Sequence, residues 1–225
     1  MTGFDPVLFD LDGTVVDTVD LIRQSFRYAT RRVLQRELPD REIMAHVGQP
    51  LMAQMQQLSA EHAQELYDVY REHNHRVHDQ LIRSYEGVEA ALQALRAAGR
   101  RLGLVTSKST DTTDMAFRAV GLRDLFDVIV TASDTEVHKP SPEPLLLCLR
   151  RLAAPAPDAL LGPSAAIYVG DSPYDIQAGK AAGMATAAVT WGIFAREDLQ
   201  RADPDFVLER PEDIVSVCLE GRAGR

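Results

Sequence analysis

Short apolar runs that are continuous rather than alternating recur along the chain. There are five: VLF at 7–9, LGLV at 102–105, VIV at 128–130, AAIYV at 165–169 and ATAAV at 185–189. A strand that is covered on both faces has a continuous apolar run, because neither of its faces meets water. These runs therefore predict the strands of a buried parallel sheet.

Helical patterns lie between the predicted strands. GVEAALQALRAAG, at 87–99, places its apolar residues on one face and ends at a glycine. SPEPLLLCLRRL, at 141–152, and SPYDIQAGKAAG, at 172–183, each begin with serine and proline, which suit a helix N-cap and first turn. Because strands alternate with helices, we predict a layered α/β domain.

One long segment interrupts this alternation. Residues 16–85 contain no convincing strand, and helical stretches dominate them. We predict a catalytic core formed by 1–15 and 86–225, with a helical cap domain inserted at 16–85. APAPDALLGPS, at 154–164, is typical of a loop, and the tail EGRAGR is expected to fray.

Composition narrows the classes of partner. The chain of 225 residues has a formal net charge of -9 and a pI near 5.1. Such a surface repels nucleic acid and anionic membranes, so we expect neither as a partner. No apolar run is long enough to span a bilayer and no signal peptide precedes the first strand, which favours a cytoplasmic protein. Monomer and homodimer both stay open.

Polar side chains gather where the predicted strands end. They comprise acids, hydroxyls and one lysine: Asp10, Asp12, Thr106, Ser107, Lys139, Asp171 and Asp175. Ligands of an open α/β sheet bind beyond these strand ends. Acids this close together repel each other unless a divalent cation and a lysine neutralise them. The set fits phosphoryl transfer through a carboxylate, with Mg²⁺ as the cation.

Four motifs carry a family resemblance. DLDGT at 10–14, TS at 106–107, HKPSPEP at 138–144 and GDSPYD at 170–175, in this order, resemble the haloacid dehalogenase superfamily. The resemblance is to the branch with a helical cap after the first motif. It implies a Rossmann-like parallel sheet core sandwiched by helices, a small all-helical cap domain and Mg²⁺ as cofactor.

The same resemblance implies catalytic roles. Asp10 would be the nucleophile, and Asp12 would be the general acid and base. Thr106 would bind the phosphoryl group through its hydroxyl, and Lys139 would neutralise its charge. Gly13, Thr14 and Ser107 are further candidates for phosphate binding.

The metal ligands also follow from the resemblance. Asp171 would bind Mg²⁺ together with Asp10 and the main-chain carbonyl of Asp12. Asp175 would be an outer-shell partner of the metal or of Lys139. Because Ser172 lies three residues before it, Asp175 also fits a helix capping box, and both roles stay open.

A narrower resemblance is to phosphoglycolate phosphatases and related small pyrophosphatases. It implies a Mg²⁺-dependent phosphohydrolase of a small phosphorylated metabolite. The chain departs from the usual Thr-Asn-Lys of phosphoglycolate phosphatases, since it has Thr-Ser-Lys at 106–108. Inorganic pyrophosphatase, a phosphomutase of the β-phosphoglucomutase kind and a non-catalytic phosphate-binding module are the alternatives.

Two cap segments bear on these alternatives. GQPLMAQM, at 48–55, is expected to face the active site, and it contains no basic residue to hold a second phosphate, which argues against a mutase. HNHRVH, at 73–78, has the spacing for a pair of histidines on one helix face. No acid or cysteine completes a metal set there, so a solvated helix face is predicted.

Overall fold

The computed structural model describes residues 3–154 and 162–221. Most of the predicted loop at 154–164 and residues 222–225 of the tail lie outside this described part. The strands are β1 (Val7–Phe9), β2 (Val16–Asp17), β3 (Arg83–Ser84), β4 (Leu102–Val105), β5 (Val128–Val130), β6 (Ile167–Gly170), β7 (Ala185–Val189) and β8 (Phe206–Leu208).

Helices separate the strands. They are α1 (Val19–Val33), α2 (Asp40–Ile43), α3 (Leu51–Leu58), α4 (Ala63–Leu81), α5 (Val88–Ala97), α6 (Thr110–Val120), α7 (Glu143–Ala153), α8 (Pro173–Ala181), α9 (Arg196–Arg201) and α10 (Glu212–Glu220). Short 3-10 turns lie at Arg123–Leu125 and Pro163–Ala165. None of the described helices combines the length and the hydropathy needed to cross a bilayer.

Six of the strands in the described part of the chain form one parallel sheet in the order β5-β4-β1-β6-β7-β8. β1 is central and pairs with β4 and β6, with Val7 opposite Leu102 and Ile167. Side chains of β1 alternate between the faces, so that Leu8 packs with α7 and Phe9 with α5. This confirms the predicted α/β fold with a parallel sheet sandwiched by helices.

Within residues 16–85, which we call the cap, the part from Ile22 to Tyr70 packs around an apolar cluster separate from that of the sheet. α1 and α4 lie against each other, and the rings of Phe26 and Tyr70 meet edge to face with centroids 4.9 Å apart. β2 and β3 pair as a short antiparallel ribbon, so the chain enters and leaves the cap at one place. The division into core and cap domains stays a prediction, and this separate cluster favours it.

The two cysteines are buried free thiols. Cys148 lies in α7 and Cys218 lies in α10. Burial raises the pKa of each thiol to about 12, so both stay protonated and unreactive at neutral pH.

Candidate active site

Three aspartates meet where neighbouring strands end. Asp10 follows β1, while Asp171 and Asp175 follow β6, and β1 pairs with β6. The three side chains are buried, and their carboxylate oxygens lie within 4.8 Å of one another. The parallel pairing of two strands therefore brings together acids that are far apart in the sequence.

Lys139 lies among these acids and is 3% exposed. Its ammonium donates to Oδ1 of Asp10 at 2.9 Å and to Oδ1 of Asp175 at 2.7 Å. It also donates to the hydroxyl of Tyr168 at 3.0 Å, and that hydroxyl donates to the carbonyl of Val105 at 2.9 Å. Burial alone would lower the pKa of Lys139, but the two carboxylates outweigh it and raise the pKa, so the ammonium stays charged.

One lysine does not neutralise three buried acids. Burial raises the pKa of Asp10 to about 7, which Lys139 opposes and Asp175 reinforces. Burial also raises the pKa of Asp171 well above its usual value, and the charges of Asp175 and Asp10 add to the rise. A divalent cation would offset this excess of negative charge, and carboxylate oxygens are the donors that Mg²⁺ prefers. The residues present therefore fit a magnesium ion.

Two glycines and a backbone amide hold the carboxylate of Asp171. Gly13 has a φ of +79°, and a Cβ at Gly13 or at Gly192 would overlap Asp171. The N–H of Ile193 donates to Oδ2 of Asp171 at 2.6 Å. Sequence reasoning missed Gly192 and Ile193, although TWG directly after the β7 run could have indicated a close approach of the backbone.

Lys108 binds the carboxylate of Asp12. Its ammonium donates to Oδ1 at 2.7 Å and to Oδ2 at 2.8 Å. Its backbone N–H donates to the hydroxyl of Thr106 at 3.2 Å, which ties the end of β4 to the end of β1. The sequence had marked Lys108 only as part of the Thr-Ser-Lys triplet, so its contact with the predicted acid and base was missed.

Asp175 combines the two roles that the sequence had left open. Its Oδ2 accepts from the N–H of Ser172 at 3.0 Å and from the hydroxyl at 2.5 Å, and its own N–H donates back to that hydroxyl. This is a capping box at the start of α8. Its Oδ1 accepts from Lys139 and lies 3.1 Å from the hydroxyl of Tyr168. Both oxygens of Asp175 are therefore engaged by protein groups.

Three of the predicted phosphate-binding residues have other neighbours. Ser107 donates its hydroxyl to the main-chain carbonyl of Gly48 in the cap at 2.6 Å. Thr14 is buried, its hydroxyl has no hydrogen-bond partner among the described residues, and its carbonyl accepts from Trp191 at 3.2 Å. Neither Thr14 nor Gly13 lines the cavity between the core and the cap. Phosphate binding by these three residues stays a prediction.

A cavity of about 330 Å³ lies between the core and the cap. Asp10, Asp12, Thr106 and Asp171 line its core side. The segment expected to face the site does so, because residues 48–52 and Gln54 line the opposite side. α4 completes that side with Tyr67, Tyr70, Arg71, Asn74 and His75.

The solvated face predicted for HNHRVH holds for His75 and Arg76, which are exposed, and is wrong for Asn74 and His78, which are buried. His78 is 1% exposed, and its Nδ1 lies 2.7 Å from a carboxylate oxygen of Asp79. His73 stacks on Tyr28 with ring centroids 4.4 Å apart, and His75 lines the cavity. The buried stripe of α4 runs through this segment, which the local sequence does not reveal.

Comparisons with known proteins agree with this geometry. A family model for haloacid dehalogenase-like hydrolases matches residues 7–189. Pyrophosphatase PpaX of Bacillus velezensis is 37% identical over 211 residues, which are 94% of each chain. The crystal structure of a predicted phosphoglycolate phosphatase from Haemophilus somnus has a TM-score of 0.80 at 25% identity and covers 96% of this chain and 99% of its own. That of a predicted phosphatase from Clostridium acetobutylicum has a TM-score of 0.83 at 25% identity and covers 97% of this chain and 100% of its own. The chain therefore belongs to the haloacid dehalogenase-like hydrolases and is a phosphatase.

Proposed function

We propose that the protein is a Mg²⁺-dependent phosphohydrolase of a small phosphorylated metabolite and that it works through an aspartyl-phosphate. One observation carries the proposal: Asp10, Asp12, Thr106 and Asp171 line one cavity, and Lys139 contacts Asp10. A nucleophile, a proton donor, a phosphate-binding hydroxyl and a source of positive charge are the groups that this chemistry requires.

In the first step a carboxylate oxygen of Asp10 attacks phosphorus, and the bond from phosphorus to the leaving oxygen breaks. Lys139 donates a hydrogen bond to Oδ1 of Asp10 and thereby orients the carboxylate. Asp12, which the second step leaves protonated, gives its proton to the leaving oxygen. Lys108 holds both oxygens of Asp12 in the resting protein, so we assign it the positioning of this carboxyl group.

In the second step a water molecule attacks the phosphorus of the aspartyl-phosphate. Asp12 takes a proton from this water, the bond between Asp10 and phosphorus breaks, and orthophosphate is released. The hydroxyl of Thr106 donates to a phosphoryl oxygen in both steps. The cap covers the cavity, excludes bulk water and selects the leaving group.

The magnesium ion would be held by Asp10, by Asp171 and by the main-chain carbonyl of Asp12. Asp175 is a poorer candidate, because hydrogen bonds already engage both of its oxygens. When bound, the ion neutralises carboxylate charge and orients the phosphoryl oxygens.

Phosphoglycolate and inorganic pyrophosphate are the two substrates we propose to test first. The first follows from the motifs, and the second is favoured by the 37% identity to a pyrophosphatase over nearly the whole chain. The case against a mutase rested on the absence of a basic residue at 48–55. Arg71 of α4 lines the cavity as well, so this case is weaker, and sugar phosphates belong in the test.

The test is a screen of phosphate release with Mg²⁺, using phosphoglycolate, pyrophosphate and sugar phosphates, with a parallel series in EDTA. We expect release from at least one substrate, loss of release in EDTA and recovery when Mg²⁺ is restored. Isomerisation of a sugar phosphate without release would replace the proposal with a mutase. No turnover of any kind would contradict it, and release that EDTA leaves unchanged would remove the metal from the mechanism.

A further inference from the structure

One guanidinium lines the cavity among the described residues, that of Arg71 on α4. It belongs to a face of the helix on which Tyr67, Tyr70, Arg71 and Asn74 follow at the spacing of helical neighbours, and all four line the cavity. The predicted nucleophile and the predicted acid line the opposite side. Arg71 is therefore on the side of the cavity that a leaving group would occupy.

No carboxylate among the described residues lies within ion-pair distance of Arg71. Its Nη1 donates to the hydroxyl of Tyr67 at 3.3 Å, and its guanidinium carbon lies 5.6 Å from the centroid of that ring. These contacts orient the side chain without neutralising it. Arg76 differs, since it is exposed and pairs with Glu72 at 3.9 Å.

Gln54 adds a second unsatisfied polar group to the same side. It is 7% exposed, and its Nε2 donates to the carbonyl of Gln49 at 2.6 Å. Its Oε1 has no hydrogen-bond partner among the described residues, although it is buried and the residue lines the cavity. Buried acceptors are normally satisfied, so this oxygen is available to a hydrogen-bond donor of a bound ligand or water molecule.

The charge on this side is local and fixed. The chain as a whole has a net charge of -9, so anions are disfavoured elsewhere on its surface. His75 also lines the cavity, but burial and the charge of Arg71 lower its pKa, so it is neutral at neutral pH. Lys108, on the core side, is paired with Asp12. Arg71 is the group left to bind a second negative charge, and its planar guanidinium suits a carboxylate or a phosphate.

We propose that Arg71 determines substrate specificity by binding a negatively charged group on the leaving group, a carboxylate or a second phosphate. This inference rests on the proposed function, because it assumes that the phosphoryl group lies at Asp10. The volume of about 330 Å³ is at the lower end for ligand pockets and favours a leaving group of few atoms.

The test compares leaving groups of different charge. Phosphoglycolate and pyrophosphate supply a carboxylate and a phosphate, and hydroxyethyl phosphate is a neutral match for phosphoglycolate. We expect Arg71→Gln to lower the ratio of kcat/KM for the anionic substrate over the neutral one by about 10- to 100-fold, the usual worth of a hydrogen bond to a charged group. Arg71→Lys keeps the charge and should retain part of the preference. Arg76→Gln, on the same helix but away from the cavity, is the matched control and should leave the ratio unchanged.

Comparison of phosphoglycolate with pyrophosphate shows which anionic group Arg71 binds. A fall for phosphoglycolate alone identifies a carboxylate as the ligand of Arg71, and a fall for pyrophosphate alone identifies a phosphate. An equal loss for anionic and neutral substrates, or an unchanged ratio, would overturn the inference and leave the proposed function standing.

A binding measurement distinguishes failure of the proposed function from failure of the specificity role of Arg71. In Asp10→Asn protein, calorimetry gives the Kd of phosphoglycolate and hydroxyethyl phosphate without turnover, and Arg71→Gln in that background should weaken the first by at least about 10-fold more than the second. If the native enzyme turns over no phosphate ester but this difference persists, the proposed function fails and the anion site stands. If the difference is absent, the specificity role of Arg71 is wrong.

Discussion

Lys139 keeps its charge in a site that water hardly reaches. Desolvation of its ammonium is offset by hydrogen bonds to Asp10 and Asp175 and by the hydroxyl of Tyr168. Removing one partner of a buried ion pair costs several kcal/mol, because the other charge is left uncompensated. At the scale of single residues, the site is therefore a network whose members depend on one another.

Asp10→Asn should abolish turnover, with a loss of at least about 10³-fold, because an amide cannot form the aspartyl-phosphate. The fold should survive, since the amide has the shape of the carboxylate and burial already raises the pKa of Asp10 to about 7. Phosphate release and thermal unfolding measure the two effects. Asp20→Asn, at an exposed position of α1, is the control. Native rates in Asp10→Asn protein would refute the nucleophile assignment.

Gly192→Ala tests the packing around Asp171. The new Cβ would overlap that side chain and lie 2.5 Å from the carbonyl of Gly13, so the carboxylate has to shift. Overpacking of this kind costs about 1–3 kcal/mol, and we expect a loss of activity larger than about 10-fold. Denaturant unfolding and phosphate release are the measurements. Gly162→Ala, where the nearest atom is 3.8 Å away, should change little, and equal behaviour of the two variants would contradict the prediction.

At the scale of elements, the loop after β4 links the chemistry to the cap. Thr106 lines the cavity, Ser107 donates to the carbonyl of Gly48, and Lys108 binds Asp12. Three successive residues thus contact the cavity, the cap and the predicted acid. A displacement of the cap at Gly48 would be transmitted to the core through its hydrogen bond with Ser107.

Ser107→Ala removes the hydrogen bond from the loop after β4 to the cap. We expect a loss of about 0.5–1.5 kcal/mol in the free energy of unfolding and a rise of a few-fold in KM, because the closed cap is less favoured. Chemical denaturation and steady-state kinetics measure them. Ser164→Ala, at an exposed 3-10 turn, is the control. A large fall in kcat with unchanged KM would indicate that Ser107 binds the phosphoryl group instead.

The strands that could be predicted are those in which a continuous apolar run indicates burial on both faces. β1, β4, β5, β6 and β7 each coincide with a predicted apolar run. β8 was missed, although its sequence FVL has the same length and the same burial as the predicted β5. In α4 the buried positions include Asn74 and His78, whose burial depends on the packing of α1 and not on their own polarity. Asn74, for example, donates to Ser25 of α1.

The same division holds for the site. The gathering of Asp10, Asp12, Thr106 and Asp171 could be expected because each closely follows a strand, and Lys139 was assigned from its motif. Their catalytic roles stay predictions. Their close contacts result from the sheet topology, because the parallel pairing of β1 with β4 and β6 determines which strand ends lie side by side. Arg71 could not be predicted, because its position depends on how the cap lies over the core, whereas Gln54 belongs to the segment 48–55 that was expected to face the site.

At the scale of the whole molecule, the buried acids couple stability to pH and to magnesium. The pKa of Asp10 is about 7 in the folded protein against 3.8 as its ordinary value, so over this range the unfolded chain binds fewer protons. The metal-free protein should therefore lose stability as pH rises from about 4 to about 7. Mg²⁺ binds the ionised carboxylates, so its stabilising effect should grow over the same range.

Melting curves with EDTA and with millimolar Mg²⁺, recorded at several pH values across this range, measure both effects. The increase in Tm caused by Mg²⁺ should be small in acid and largest near neutral pH. Asp171→Asn, which removes a proposed ligand, should suppress it. An increase that is the same at every pH, or that survives in Asp171→Asn protein, would contradict the assignment.

The crowding of Asp10, Asp171 and Asp175 around Lys139 also bears on evolution. A lineage that no longer needs the reaction would gain heat resistance by replacing Asp171 with a neutral residue, since this removes one repelling charge and leaves both ion pairs of Lys139 in place. Selection for thermostability alone would then enrich such replacements early, and catalytically inert descendants would outlast their active ancestor on heating.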